Sequence, residues 1–149
     1  MALTTAQAQA VASAIAADTT LAAHAARNEF SNIADALNQP SNPAVQIWHP
    51  ATPTPAIVAA IAAADMPATA AQIGYLQMLC STGTVDATSA SVRAAFSAVF
   101  TGKAATLAAL TAASQRRATR FEALFTTANV CSVFGQSIGA ADVQSALGK

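Results

Sequence analysis

Arg116, Arg117 and Arg120 form the densest group of charges in the sequence, with Glu122 the only acid close by. On a helix, positions 116 and 120 lie one turn apart on one face and 117 adjoins them. Such a stripe can meet an acidic face of another subunit, contact nucleic-acid phosphates, or simply be solvated. Three arginines without interleaved aromatic residues make a thin nucleic-acid footprint. The other reactive side chains are scattered. His24 falls in an alanine-rich stretch and His49 beside Trp48, so neither belongs to a catalytic or metal-binding cluster. Cys80 and Cys131 have no second Cys or His at zinc-ligand spacing. Two buried thiols are the plain reading of that pair; a disulfide within or between subunits is the alternative, open to a particle that has left a reducing cytosol. Glu29 and Asp35 are six positions apart and face different directions on a helix. With no glycine-rich phosphate loop and no nucleophile elbow, the residues point away from an enzyme and to no metal or cofactor.

The charges are few and sorted by sign. Residues 1–86 carry Asp18, Glu29, Asp35, Asp65 and Asp86 against Arg27 alone. Residues 87–149 carry Arg93, Lys103, Arg116, Arg117, Arg120 and Lys149 against Glu122 and Asp142. The chain is neutral overall, which removes any global attraction to nucleic acid or anionic membrane. Charged residues make up 9% of the chain, far below the roughly 25% usual for soluble domains, while 42 residues are alanine. A surface so poor in charge is expected to be covered by neighbouring subunits. The first residues lack the basic start of a secretory signal, and no apolar run is long enough to span a bilayer, so a soluble, unexported chain is expected.

The elements that must position these residues are mostly helical. Thr4 or Thr5 caps a helix over about Thr5–Ala17, and a second stretch over Leu21–Leu37 is open to a break near Arg27 and Asn28. Five of the six prolines (Pro40, Pro43, Pro50, Pro53, Pro55) then fall in residues 38–55, which no helix can cross. This stretch is predicted to be an extended arm of polyproline-like stiffness. It either packs Trp48 on its own chain or offers Val45, Ile47 and Trp48 to a neighbour, since a flat aromatic between rigid prolines loses little entropy on docking. Thr54 and Pro55 start a short helix through Ala63, and a helix over Pro67–Cys80 should turn Ile73, Leu76 and Leu79 inward. Val92, Phe96, Val99 and Phe100 share one face of a helix capped by Thr88 or Ser89 and stopped at Gly102. The longest helix is predicted over about Lys103–Ala128, followed by a short strand over Val130–Phe134 and a last helix over Ala140–Leu147. The expected fold is therefore all-α. It is a single domain over residues 1–149, a compact bundle of about six to seven helices with the proline-rich arm at about 38–55 and at most a minor β element.

Several blocks together resemble a family of small structural proteins of tailed bacteriophages. They are Thr5-Ala6-Gln7-Ala8-Gln9 through Asp18; Asn32 to Asn38 with Gln46-Ile47-Trp48; Ser91 to Gly102; Arg116 to Phe125; and Ile138 to Gln144. Residues 50–80 depart from that pattern. The resemblance implies a virion component without catalytic activity, assembled in the host cytoplasm. An adaptor ring at the head-to-tail connection is the leading expectation, with copies of itself and portal or tail proteins as partners. A tail or capsid-surface component is the alternative, and a small helical DNA-binding or regulatory protein the alternative of another class. Opposite charge at the two ends of the sequence suits the heterologous contacts from which rings are built. The interface candidates are Val45, Ile47, Trp48, Arg116, Arg117 and Arg120.

Overall fold

The computed structural model of the chain describes residues 2–149 and is predominantly helical, as its alanine content dictates. Among the described residues there are nine α-helices rather than six or seven, and three two-stranded ladders where one minor β element was expected. The chain divides into two compact units. The first comprises residues up to Gln46 together with Arg117–Lys149, and the second Ile47–Arg116.

In the first unit, α1 (Thr5–Ala17) opens on a capping box: Thr4 Oγ1 accepts from the Gln7 amide, and Gln7 Oε1 accepts from the Thr4 amide at 2.9 Å. Asp18 ends α1 and caps α2 (Thr19–Ala26), its carboxylate accepting from the amides of Thr20 and Leu21. The predicted break falls at Asn28, whose φ of 56° is left-handed and separates α2 from α3 (Phe30–Asn38). α9 (Ala140–Ala146) packs on α1 and α3. The buried side chains include Val11, Ile15, Leu21, Ile33, Leu37, Phe121, Val133 and Val143. Between α8 (Arg120–Ala123) and α9, strands β5 (Thr126–Thr127) and β6 (Val130–Cys131) make an antiparallel hairpin. Its two turn residues, Ala128 and Asn129, both have positive φ, the twist that a two-residue hairpin loop requires.

The second unit contains β2 (Thr52–Pro53), α4 (Thr54–Ala60), α5 (Ala70–Cys80), β3 (Thr84–Val85), α6 (Ala90–Val99) and α7 (Ala104–Ser114). β2 and β3 are antiparallel, pairing Thr52 with Val85 and Pro53 with Thr84. Ile57, Ile61, Val85, Phe96, Phe100 and Leu110 form its core, so the spacing of Phe96 and Phe100 does mark a buried face. The chain crosses from one unit to the other within β1 (Gln46–Trp48) and back within β4 (Gln115–Arg117).

The long helix predicted over 103–128 is three elements instead: α7, β4 and α8. Gln115 turns extended (φ −125°, ψ 155°), and Thr119 and Glu122 form a reciprocal capping box that starts a new helix. The expected strand at 130–134 shortens to Val130–Cys131. No helix among the described residues is long and apolar enough to cross a membrane.

Candidate functional site

The break after Ser114 disperses the arginine stripe. Arg116 and Arg117 are successive strand residues, whose side chains leave on opposite faces, and Arg120 opens a separate helix. In the first unit, Arg117 donates through Nε (2.9 Å) and Nη2 to the carbonyl of Ser41. Arg120 Nη2 donates to Asp18 Oδ2 at 2.6 Å, tying the start of α8 to the cap of α2. Asp18 is held below the ordinary carboxylate range, first by the Leu21 amide and then by Arg120. In the second unit, Arg116 lies near enough to His49 for its charge to reinforce burial in lowering that imidazole's pKa. Arg116 belongs to the second unit and Arg117 and Arg120 to the first, so no single helix carries all three.

The other charges follow the same course. Asp65 accepts from Thr106 Oγ1 at 2.6 Å and pairs with Lys103 Nζ at 3.0 Å, which keeps its carboxyl below the ordinary range. Glu29 meets His24 Nδ1 at 2.5 Å and Arg27 Nε at 3.0 Å, with the same direction of shift and the His24 bond its largest cause. Asp18 with Arg120, and Asp65 with Lys103, join an acid from the acidic part of the sequence to a base from the basic part. Two of the five acids of residues 1–86 are thus paired with bases of residues 87–149 inside their own units.

The proline-rich stretch is extended, and its backbone is laced down on both sides of Gln46. In the first unit the Ser41 amide donates to the Ala118 carbonyl, Ala118 donates to Val45, and Arg120 donates to Gln39. In the second, His49 donates to the Ser114 carbonyl and accepts from the Ala87 amide. Val45 is half-buried, whereas Ile47 is 0% exposed and therefore core, not a side chain that a neighbour can reach. Trp48 is half-buried, with the Arg93 guanidinium 4.9 Å from its ring centre. Cys80 and Cys131 are free thiols, with no disulfide joining them within the chain; burial raises the Cys80 pKa, and Cys131 Sγ donates to the Glu122 carbonyl. Among the described residues, no three His, Cys, Asp or Glu side chains gather as a metal site.

Two features of the second unit escaped the sequence reading. α5 buries no residue completely: Leu76, Leu79 and Cys80 rest against the core, while Ile73 (40% exposed), Tyr75 (41%) and Met78 (60%) face outward. Ile73 was expected inward, but a helix apolar all round carries no period from which its inner face can be read. Met66 and Val58 add further exposed apolar surface in the same unit. The available signal was the near absence of charge, Asp65 being the only charged residue from Pro50 to Thr82. The second feature is a cleft of about 270 Å³ lined by residues that include Trp48, Arg93, Phe96 and Ser114. Comparison of the whole chain with known protein families, curated proteins and solved structures finds no match.

Proposed function

We propose that the chain is a self-assembling structural subunit of a tailed-phage particle, with the head-to-tail connector as its place, and that α5 supplies the principal apolar contact between copies. The observation that carries this reading is the exposure of Ile73, Tyr75 and Met78 around α5. A soluble monomer rarely leaves several large apolar side chains of one uncharged helix open to water, and such exposure marks interfaces. Ile73, Tyr75 and Met78 project from one helix that has no charged residue of its own. The resemblance of residues 5–18, 32–38, 46–48, 91–102, 116–125 and 138–144 to phage structural proteins supports the virion setting. It leaves residues 50–80, where α5 lies, as the part particular to this chain. The connection of head to tail and the alternatives of tail or capsid surface share this requirement for assembly. The DNA-binding alternative loses its main support, since Arg117 and Arg120 are engaged by Ser41 and Asp18.

The test is light scattering coupled to size exclusion across a concentration series, followed by negative-stain imaging of any large species. The wild-type chain is expected to form closed oligomers that persist in high salt, because apolar contacts are not screened. The double variant Ile73→Lys, Met78→Lys should be smaller at every concentration while keeping its helical circular dichroism. A wild-type monomer at high concentration, or a double variant that assembles as before, overturns the proposal.

A further inference from the structure

The cleft of the second unit combines an apolar body with one fixed cation. Phe96 of α6 and Leu107 and Leu110 of α7 supply apolar walls, joined by Ile57 and Val85. Arg93 is the only charged residue in the lining. Its Nη1 donates to the carbonyls of Ala87 (2.6 Å) and Thr88 (2.8 Å), and the guanidinium lies over the Trp48 ring. These contacts fix the group without neutralising it, and among the described residues no carboxylate pairs with it. The bonds use Nη1 alone and leave the edge formed by Nε and Nη2, the edge that grips a carboxylate through two parallel N–H···O bonds. Ser114, 6% exposed, also lines the cleft, and its hydroxyl makes no hydrogen bond within the described residues.

We infer that this cleft binds a small carboxylic acid with an apolar body, the body seated against Phe96, Leu107 and Leu110 and the carboxylate on the Nε and Nη2 edge of Arg93. A wholly apolar ligand would strip water from the guanidinium without replacing its hydrogen bonds, which is costly. A doubly charged phosphate would need more than the single cation present. A monoanion matches the charge, and the unpaired Ser114 hydroxyl offers it a further donor. No residue of α5 lines the cleft, so the inference does not depend on the assembly reading.

Trp48, the only tryptophan, lines the cleft and reports its occupancy. Sodium octanoate, 1-octanol and octylammonium chloride are titrated against the full chain, following Trp48 emission, with calorimetry for stoichiometry. Octanoate should saturate at one equivalent and bind at least about tenfold more tightly than octanol, the worth of roughly one charge-assisted pair of bonds. Octylammonium should bind more weakly still. Arg93→Met should erase the preference for octanoate over octanol, and Arg93→Lys should retain part of it. The comparison of the three probes on the wild-type chain stands even if an Arg93 variant fails to fold. Equal affinity for octanoate and octanol, tighter binding of octylammonium, an absence of saturable binding by octanoate, or octanoate binding unchanged by a folded Arg93→Met variant would each overturn the inference.

Discussion

Glu122 is a buried carboxylate, 1% exposed, in a chain that carries few charges to spare. Its Oε2 accepts from the Thr119 amide at 2.9 Å and its Oε1 from the Gly135 amide at 2.7 Å. Gly135 reaches this position with a φ of 72°, a conformation that other residues adopt at a cost. The carboxylate thus starts α8 and at the same time anchors the chain that follows the β5–β6 hairpin. Glu122→Ala takes a charged acceptor from two part-buried backbone donors, at about 1.5–3 kcal/mol each. The sum, about 4 kcal/mol, is a large part of the ~5–15 kcal/mol that holds most domains together. At about 2–4 °C per kcal/mol for a chain of this length, the midpoint of thermal unfolding should fall by roughly 8–16 °C. Glu122→Gln keeps the volume but offers one carbonyl oxygen where two are used, and points an amide N–H at one of the donors. It should cost about 1–3 kcal/mol, between wild type and Ala. Urea unfolding followed by far-ultraviolet circular dichroism, with the slope checked for constancy, measures all three proteins. A loss below about 1 kcal/mol in Glu122→Ala would refute the reasoning. A Gln variant as stable as wild type would refute the two-bond account and leave only the loss of volume.

Phe100, buried at the centre of the second unit, should cost about 3–5 kcal/mol on replacement by Ala, and the urea midpoint checks it. The pH dependence of stability should fall in two windows. His49 has its pKa lowered from 6.5 by burial and then by Arg116, so the folded state binds fewer protons than the unfolded chain. Its contribution is fully present above the unfolded value and is lost as pH falls through the lower, folded one. Asp18, Glu29 and Asp65 are lowered carboxylates, and their contributions are lost only as the pH falls below the ordinary carboxylate range. Melting temperatures measured from about pH 8 to about pH 3 should show both steps, and His49→Gln should flatten the upper one alone. An upper step unchanged in that variant would show that another group causes it.

The elements that were legible in the sequence are those whose signals are local. α1 follows from Thr4 and Gln7, the break after Arg27 from an Asn that tolerates left-handed backbone, and the face of α6 from Phe96 and Phe100 four residues apart. The capping box at Thr119 and Glu122 is equally local, but it sits in a run of alanine, leucine and arginine whose high helix propensity reads straight through it. Taking that run as one helix is what gathered Arg116, Arg117 and Arg120 into a stripe. What no local pattern could supply was the pairing of distant residues. Arg120 finds Asp18, Lys103 finds Asp65, and Glu122 finds the amide of Gly135 only because the fold brings them together.

Those pairings change the physical basis on which copies of this chain would meet. The sequence, with acids early and bases late, suggests subunits steered together by opposite charge. The folded chain pairs Asp18 with Arg120 and Asp65 with Lys103 within its own units, so part of that polarity is spent before a partner arrives. What the second unit turns outward is Ile73, Tyr75 and Met78 on a helix with no charge. Contacts of that kind are not screened by salt and do not need a long-range field to bring them into register. Their specificity has to come from shape, and from the few polar groups at the edge of the apolar face. A chain with seven bases and seven acids in 149 residues can satisfy its internal hydrogen bonds or decorate its surface. By satisfying the first it leaves the second to apolar burial, the term that grows with each neighbour a subunit acquires.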